Sequence, residues 1–392
     1  MELAGNYTLN VSVGDANMVV PPQAIQELTI TQDADRLLPT FKLGVLDGTG
    51  LLADIMPYDK STSRMAFEFS RGNTGSELNI LHFAAKRRNA LSPEGVFNVE
   101  GVLDIPNLLT QRQSRVFSGQ VKASLELLAK NDLQITSTEV GASLSYTKTL
   151  LQPNWTDAKF IRYLRDNLEG KSRESGYESF VRVTYGEPTF VFKSLDELLT
   201  APIRCKLIVG HKEYQDFVPI GDYQVYDDSG LLGDLSSPNE HFGYFDYDRG
   251  VWVEDSVPLS DLPALPELLL IDMDKKTDAR LYTHTGRSND FTANFKGRVR
   301  NDFYLRASNF VHMWASTWGM ENIAPGDVVK VLFAEALEKG QMFLFQHSGL
   351  WMVKRVVHIF GSTYMTNLLL TRCGIDTDIS TSLTAVKNRK RR

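Results

Sequence analysis

The sequence predicts a mainly β protein with α+β insertions, organised as two related β-barrels of which the second is interrupted by an inserted domain. Short apolar runs with a period of two recur near both ends of the chain, amphipathic helices lie between them, and one middle segment loses regular periodicity. At 392 residues the chain also exceeds what one hydrophobic core organises, so more than one domain is expected. A hydrophobic content of 42% supplies enough apolar surface to offset the entropy of ordering the chain, which excludes global disorder.

The first strand set is read at 27–32 (ELTITQ), 40–47 (TFKLGVLD), 64–70 (RMAFEFS), 78–85 (LNILHFAA) and 97–105 (FNVEGVLDI), separated by Asp, Gly, Pro and Ser turns. A helix follows over 120–131, with Ser118 as its expected N-cap and Val121, Leu125 and Leu128 along one face. A second helix is expected to begin at Thr156 or Asp157. It places Phe160, Ile161, Leu164 and Leu168 on one face and stops at Gly170. Two strands, 178–186 and 188–194, and a short helix around 195–199 complete a small mixed unit. The second strand set is read at 303–309, 326–333, 341–346, 350–360 and 364–372, with turns at Pro325-Gly326-Asp327 and Ser348-Gly349.

The resulting division is 1–128 for the first barrel with a covering helix and 129–200 for the α/β unit. Residues 201–230 with 298–376 make the discontinuous second barrel, 231–297 the inserted peripheral domain, and 377–392 a basic C-terminal tail. The tail is distinct electrostatically. Lys387, Arg389, Lys390, Arg391 and Arg392 carry five positive charges, so a net charge of −6 for the whole chain leaves −11 for residues 1–386. An acidic body argues against a nucleic-acid groove, whose affinity depends on Lys and Arg neutralising phosphates. The tail reads as a solvated or partner-docking segment with an acidic counterpart.

Motifs that imitate catalytic sites lose that reading in context. Gly48-Thr49-Gly50 with Glu68 downstream resembles a dinucleotide fingerprint, but Pro57 interrupts the helix that such a loop must open, so a plain turn is expected. Asp272, Asp274 and Asp278 place Lys276 where a calcium loop needs an oxygen ligand; Asp246, Asp248 and Glu254 likewise match no metal loop. Cys205 and Cys373 lie 168 positions apart and suggest neither disulfide nor zinc. His82, His211, His241, His284, His312, His347 and His358 form no short-range ligand pair. No catalytic, cofactor-binding or metal-binding residue is therefore expected. No apolar run reaches membrane-spanning length and no export signal stands at the start, so synthesis and retention in the cytoplasm are expected.

One stretch resembles a known family. After Pro325-Gly326-Asp327 come Ser348-Gly349, Trp351, Val353, Val356 and His358, then Tyr364, Thr366, Leu368, Leu370 and Arg372 at alternate positions. This order resembles the closing barrel of phage tail-hub proteins, the group that includes contractile-tail baseplate hubs, late-control D proteins and the first part of type VI secretion spike proteins. The helix of 152–170 followed by the strands of 180–192 is similar to the interior unit of such hubs. The resemblance implies two tube barrels per chain and a homotrimer whose six barrels form a pseudo-hexameric ring. Such a ring joins a six-fold tail tube protein above to a separate three-fold spike protein below. It also implies a virion location in the tail baseplate after assembly in the host cytoplasm, with wedge or sheath proteins as neighbours. Phage DNA would pass through the lumen without specific binding, and acidic walls would suit that passage. Two alternatives stay open at this point: a tail-associated cell-wall hydrolase, which needs a carboxylate pair in a cleft, and a stand-alone β-rich binding module.

Overall fold

The computed structural model describes residues 7–13, 18–46, 63–71, 79–88, 96–105, 108–168, 170, 176–184, 186–210, 216–227, 239–246, 250–258, 281–286, 301, 305, 308–338, 340–341 and 345–372. The N-terminal part contributes β1 (Tyr7–Val13), β2 (Met18–Val20), β3 (Ile25–Asp33), β4 (Thr40–Leu46), β5 (Ser63–Arg71), β6 (Asn79–Arg88) and β7 (Val96–Leu103). They pair antiparallel in the order β2-β1-β5-β6-β7-β4-β3. Alternation sends one face inward: Phe41, Phe67 and Phe83 meet edge to face with centroids 4.7, 5.0 and 5.4 Å apart, the geometry that aromatic quadrupoles favour.

The middle of the chain supplies β8 (Arg112–Phe117), α1 (Val121–Asn131), β9 (Ser137–Val140), β10 (Leu150–Thr156), α2 (Asp157–Asn167), β11 (Tyr177–Thr184), β12 (Glu187–Ser194) and α3 (Leu195–Leu199). β8 and β10 make a two-stranded ribbon, and β11-β12-β9 a three-stranded sheet. α1 begins later than its Ser118 signal suggests. Gln120 is held in a bridge with Thr147 and the Val121 N–H donates to the Tyr146 carbonyl, so helical geometry starts only at Val121. α2 starts as expected, with the Thr156 hydroxyl accepting the Lys159 N–H at 3.3 Å. It ends before Gly170 because Leu168 turns extended and buries itself, while Asn301 bonds the Arg165 and Leu168 carbonyls at 3.0 and 3.1 Å. α3 carries a full capping box between Ser194 and Glu197.

The remaining elements are β13 (Ile203–Val209), β14 (Val218–Asp227), β15 (Asn239–Asp246), β16 (Val251–Pro258), β17 (Leu281–Gly286), β18 (Val311–Trp318), β19 (Val328–Phe333), α4 (Ala334–Glu338), β20 (Gly349–Phe360) and β21 (Tyr364–Arg372). Six of them close a barrel in the order β19-β13-β14-β18-β21-β20, with β19 pairing back onto β20. β15, β16 and β17 form a separate three-stranded sheet inside the stretch expected to be inserted.

In two stretches read from sequence as strands, no described residue lies in a strand. Leu305 and Phe345, the central described members of 303–309 and 341–346, are helical. Ser308 Oγ and Asn309 Nδ2 both bond the Leu305 carbonyl, and the Phe345 N–H donates to Gln341, local bonds that outcompete a ladder. The barrel strand is instead β18, one segment later, with Val311, Met313 and Ala315 turned inward.

Two large apolar cores result. One lies inside the closed barrel, around Trp351, Val353, Val356, Leu368 and Leu370. The other is shared: the N-terminal strands, α1, α2 and β11–β12 bury their side chains in one continuous cluster from Val11 to Phe192, joined by Phe360 and Tyr364.

Candidate functional site

The closed barrel, the N-terminal strands and the middle unit meet along β20, which belongs to both strand sets. Its first half pairs with β19 from Gly349 to Met352, and its second half pairs with β3 from Arg355 to Phe360. The 13-stranded sheet is continuous only because of this strand. The change of partner coincides with a register shift against β21 between Val353 and Arg355, which leaves Lys354 as a bulge residue. Trp351 and Val353 face the barrel core before the bulge and Val356 faces it afterwards, so one extra residue reverses the phase of the strand.

The bulge turns Lys354 toward the middle unit. Its ammonium lies 2.7 Å from Glu178 of β11 and 2.8 Å from Asp35 in the β3–β4 turn, with Lys354 2% and Glu178 0% exposed. Burial raises the Glu178 pKa and would lower that of Lys354, but the two carboxylates outweigh burial and hold the lysine charged. One cation thus ties three parts of the fold. The Lys354 carbonyl accepts the Ala34 N–H at 2.9 Å, so the backbone makes the same connection.

Beside it sits the Pro325-Gly326-Asp327 turn. Gly326 donates to the Val353 carbonyl and Val353 donates to the Asp327 carbonyl, both at 2.8 Å. Gly326 has φ +84°, and a Cβ there would stand 3.0 Å from Phe180 and 3.2 Å from Leu198, so only glycine lets the turn approach the middle unit. Asp327 accepts the Ala324 N–H at 2.9 Å and Arg182 of β11 at 3.1 Å. Arg182 also pairs with Glu139 of β9, which Lys193 of β12 reaches at 2.6 Å. Burial raises the Glu139 pKa, but its two cations outweigh burial and hold it below the usual carboxylate range.

Gln32 completes the junction from the β3 side. Its amide accepts the Val183 N–H at 2.8 Å and donates to the Val183 carbonyl at 3.1 Å, imitating one rung of a ladder on the edge of β11. The Val181 N–H is taken by the Leu37 carbonyl at 2.7 Å. Arg355 holds Asp33 at 2.7 Å and lies over the Trp314 ring at 5.7 Å. Apart from Glu178 Oε2, which is buried without a hydrogen bond, these groups satisfy one another, and the arrangement fixes orientation; it presents no nucleophile beside a base.

The residues of the hub-like pattern serve the barrel core. Trp351, Val353, Val356, Leu368, Leu370 and Arg372 are at most 1% exposed, and Arg372 bonds the His347 carbonyl at 3.1 Å. His358 is buried with Nδ1 2.9 Å from the Tyr364 hydroxyl, and burial pushes its pKa down to about 4. Of the other residues singled out, His312 stacks on Tyr226 at 4.8 Å and Glu68 meets Asn10 at 3.1 Å. Cys205 is free and partly buried, its thiol raised to about 11 mainly by burial. Gly48, Thr49, Gly50, Pro57, His211, Asp248, Asp272, Asp274, Asp278, Cys373 and the basic tail lie outside the described residues, as do the side chains of His82, His241, His284, Asp246 and Glu254. Among the described residues no group of three or more His, Cys, Asp or Glu could hold a metal ion, and no helix is long and apolar enough to cross a membrane.

The junction residues Gln32, Glu139, Glu178, Arg182 and Lys354 were not flagged by sequence. Lys354 carried one signal: with Arg355 it interrupts a largely apolar strand, where a bulge or a buried partner is the physical remedy.

Comparison with solved structures identifies the architecture. A tail protein from Neisseria meningitidis superimposes with TM-score 0.56 at 13% identity, covering 94% of this chain and 98% of that one. The 43 kDa tail protein of prophage MuSo2 from Shewanella oneidensis gives TM-score 0.56 at 8% identity over 95% of this chain and 100% of its own. The fold is that of phage tail proteins. A prophage tail protein from Listeria monocytogenes matches at TM-score 0.50 and 11% identity, over 97% and 99% of the two chains. No family model matches the sequence, and no curated protein matches it. The tail-protein fold therefore persists at identities where residue-level correspondence is lost.

Proposed function

We propose that this chain is a structural hub of a contractile phage-tail baseplate and catalyses no reaction. The observation that carries the reading is the single sheet that runs through both strand sets along β20, with the middle unit clamped at the bulge. Two tube barrels held at a fixed angle let three copies present six similar units, the geometry needed where a six-fold tube meets a three-fold spike. The likeness to three tail proteins over nearly their whole lengths supports the same reading.

In this assignment 1–128 and the pair 201–230 with 298–376 supply the ring, 129–200 braces it, and 231–297 faces outward toward wedge or sheath proteins. A spike protein is the partner below the ring, and the net −11 of residues 1–386 supports a lumen that repels DNA phosphates. The complex resides in the virion tail after cytoplasmic assembly and takes part in genome ejection.

Cryo-electron microscopy of the assembled particle tests the reading: three copies in a closed ring between tube and spike are expected. Light scattering of the chain with its spike should report a complex that exceeds the mass of the spike by three copies of this chain, about 132 kDa from 44.1 kDa each. A particle lacking the chain, or a species that stays monomeric beside the spike, would overturn it. Zymography on peptidoglycan should show no clearing, and lysis would favour a hydrolase.

A further inference from the structure

Gln32 and His358 are buried side by side where β3 meets β20, and the direction of their hydrogen bonds makes each depend on the other. β11 is an edge strand of its sheet; its Val181 N–H goes to the Leu37 carbonyl and both Val183 backbone groups go to the Gln32 amide. A backbone N–H can only donate, so the Val183 N–H at 2.8 Å fixes the Gln32 oxygen toward β11 and leaves Nε2 as a donor. That nitrogen serves the Val183 carbonyl at 3.1 Å and stands 3.5 Å from Nε2 of His358, a long contact. Facing an NH2 group, His358 Nε2 is compatible only with a lone pair. The ring proton therefore sits on Nδ1 and is donated to the Tyr364 hydroxyl at 2.9 Å. Tyr364 is itself fixed by its stack on Phe360, with centroids 4.6 Å apart.

A second proton on the ring breaks this chain at one place. Imidazolium carries an N–H on both nitrogens, and the one on Nε2 opposes the Gln32 NH2. Turning the Gln32 amide over brings its oxygen to the cation, but sets NH2 against the Val183 N–H and oxygen against the Val183 carbonyl. Either arrangement loses the rung on β11. Among the described residues no carboxylate offsets the charge. Asp33 of β3 is held by Arg355 of β20, Glu178 of β11 by Lys354 of β20, and Arg182 of β11 lies between Asp327 and Glu139. Glu27 of β3 is exposed beside Thr29, Arg372 of β21 bonds the His347 carbonyl, and Tyr7 of β1 bonds the Gly361 carbonyl. Burial alone sets the low proton affinity of the ring.

We propose that His358 and Gln32 form a proton-operated latch: the neutral ring keeps Gln32 on Val183, and a proton taken up by His358 releases the edge of β11 from β3. The Leu37–Val181 bond and the shared apolar core remain, so the opening is local to the Val183 end of β11. The closed barrel, whose core is separate, stays folded while the latch opens. The inference is independent of the hub assignment.

Hydrogen exchange of the full-length chain, resolved to single amides and corrected for the unstructured rate at each pH, tests it together with NMR titration of the His358 ring. Protection of the Val183 amide should fall at least roughly tenfold on acidification from neutral pH, in step with the ring, while the amides of β18 keep theirs. His358→Gln places an amide oxygen where Nε2 stood, so it accepts from Gln32 without titrating. Val183 should then stay protected over the whole range. Gln32→Glu supplies a carboxylate to the imidazolium and should raise the proton affinity of the ring roughly tenfold or more. A loss of Val183 protection that is equal in His358→Gln would trace it to the carboxylates of the junction and overturn the proposal. So would a ring that titrates while Val183 stays protected, or β18 amides that lose protection at the same pH as Val183. An unchanged ring affinity in Gln32→Glu would show that position 32 does not sense the proton, and would overturn it as well.

Discussion

The closed barrel and the N-terminal strand run solve the same problem in different ways. The closed barrel returns to itself through backbone pairing of β19 with β20, and its core around Trp351 is its own. The N-terminal run ends at β2 with no second strand partner among the described residues, and side chains bring it round: the Tyr7 hydroxyl donates to the Gly361 carbonyl, and its ring meets Phe360 at 5.4 Å. Its interior is completed by α1, α2 and β11–β12. Backbone closure removes free edges without outside help, whereas a curled run needs a neighbouring unit to cover what it leaves open. The middle unit is thus part of the N-terminal core as well as a brace for the barrel.

Core truncation should break this comparison most visibly. Trp351→Ala is expected to cost about 3–5 kcal/mol, read by calorimetry, and to act on the closed barrel first. Phe67→Ala should cost a similar amount but lower the N-terminal strands and the middle unit together, since they share one core. Separate unfolding of those two parts would show that the shared core is not cooperative.

Lys354→Met should cost about 3–5 kcal/mol, because it leaves Glu178 buried without its cation, and adding Glu178→Met should restore most of the loss. The Glu178 pKa already lies above its unfolded value, and losing the cation raises it further. A raised carboxyl is favourable below the unfolded pKa and loses that contribution as pH rises through the folded one. The deficit of Lys354→Met should therefore widen only as pH rises through the raised folded pKa that Glu178 has in the parent protein, read by urea titrations.

His358 behaves in the opposite sense. Its pKa of about 4 lies below the ordinary 6.5, so its contribution is present above pH 6.5 and fades as pH falls toward 4. Up to about 3 kcal/mol should be lost across that window, and a His358→Gln variant should show a flatter pH profile. Gln32→Leu leaves the Val183 amide without its partner and should cost about 1–3 kcal/mol, with faster hydrogen exchange at Val183. At the small end, Lys122→Ala removes an exposed helix pair and should change stability by less than about 0.5 kcal/mol.

Much of the strand content was legible, because residues such as Met65, Phe67, Leu368 and Leu370 alternate with polar neighbours and the turns carry Gly, Pro and Asp. At 303–309 and 341–346 the described residues leave the strand reading, because Ser308, Asn309 and Gln341 close local bonds that a periodicity does not register. It also passed over β1, β13, β14 and β18, each of which pairs with at least one strand far along the chain. The junction was the least legible part. Glu178 lies 176 positions from Lys354, and Gln32 lies 151 from Val183.

By itself the amino-acid order determined which residues turn inward, where Gly326 must permit a left-handed turn, and that the tail opposes the body in charge. These are local properties, set by side-chain chemistry and a period of two. Tertiary structure alone decided that β20 serves both strand sets and that its bulge aims Lys354 at Glu178. Those outcomes depend on strand register and on which edges meet, and register is a relation between distant segments that no short window of sequence contains.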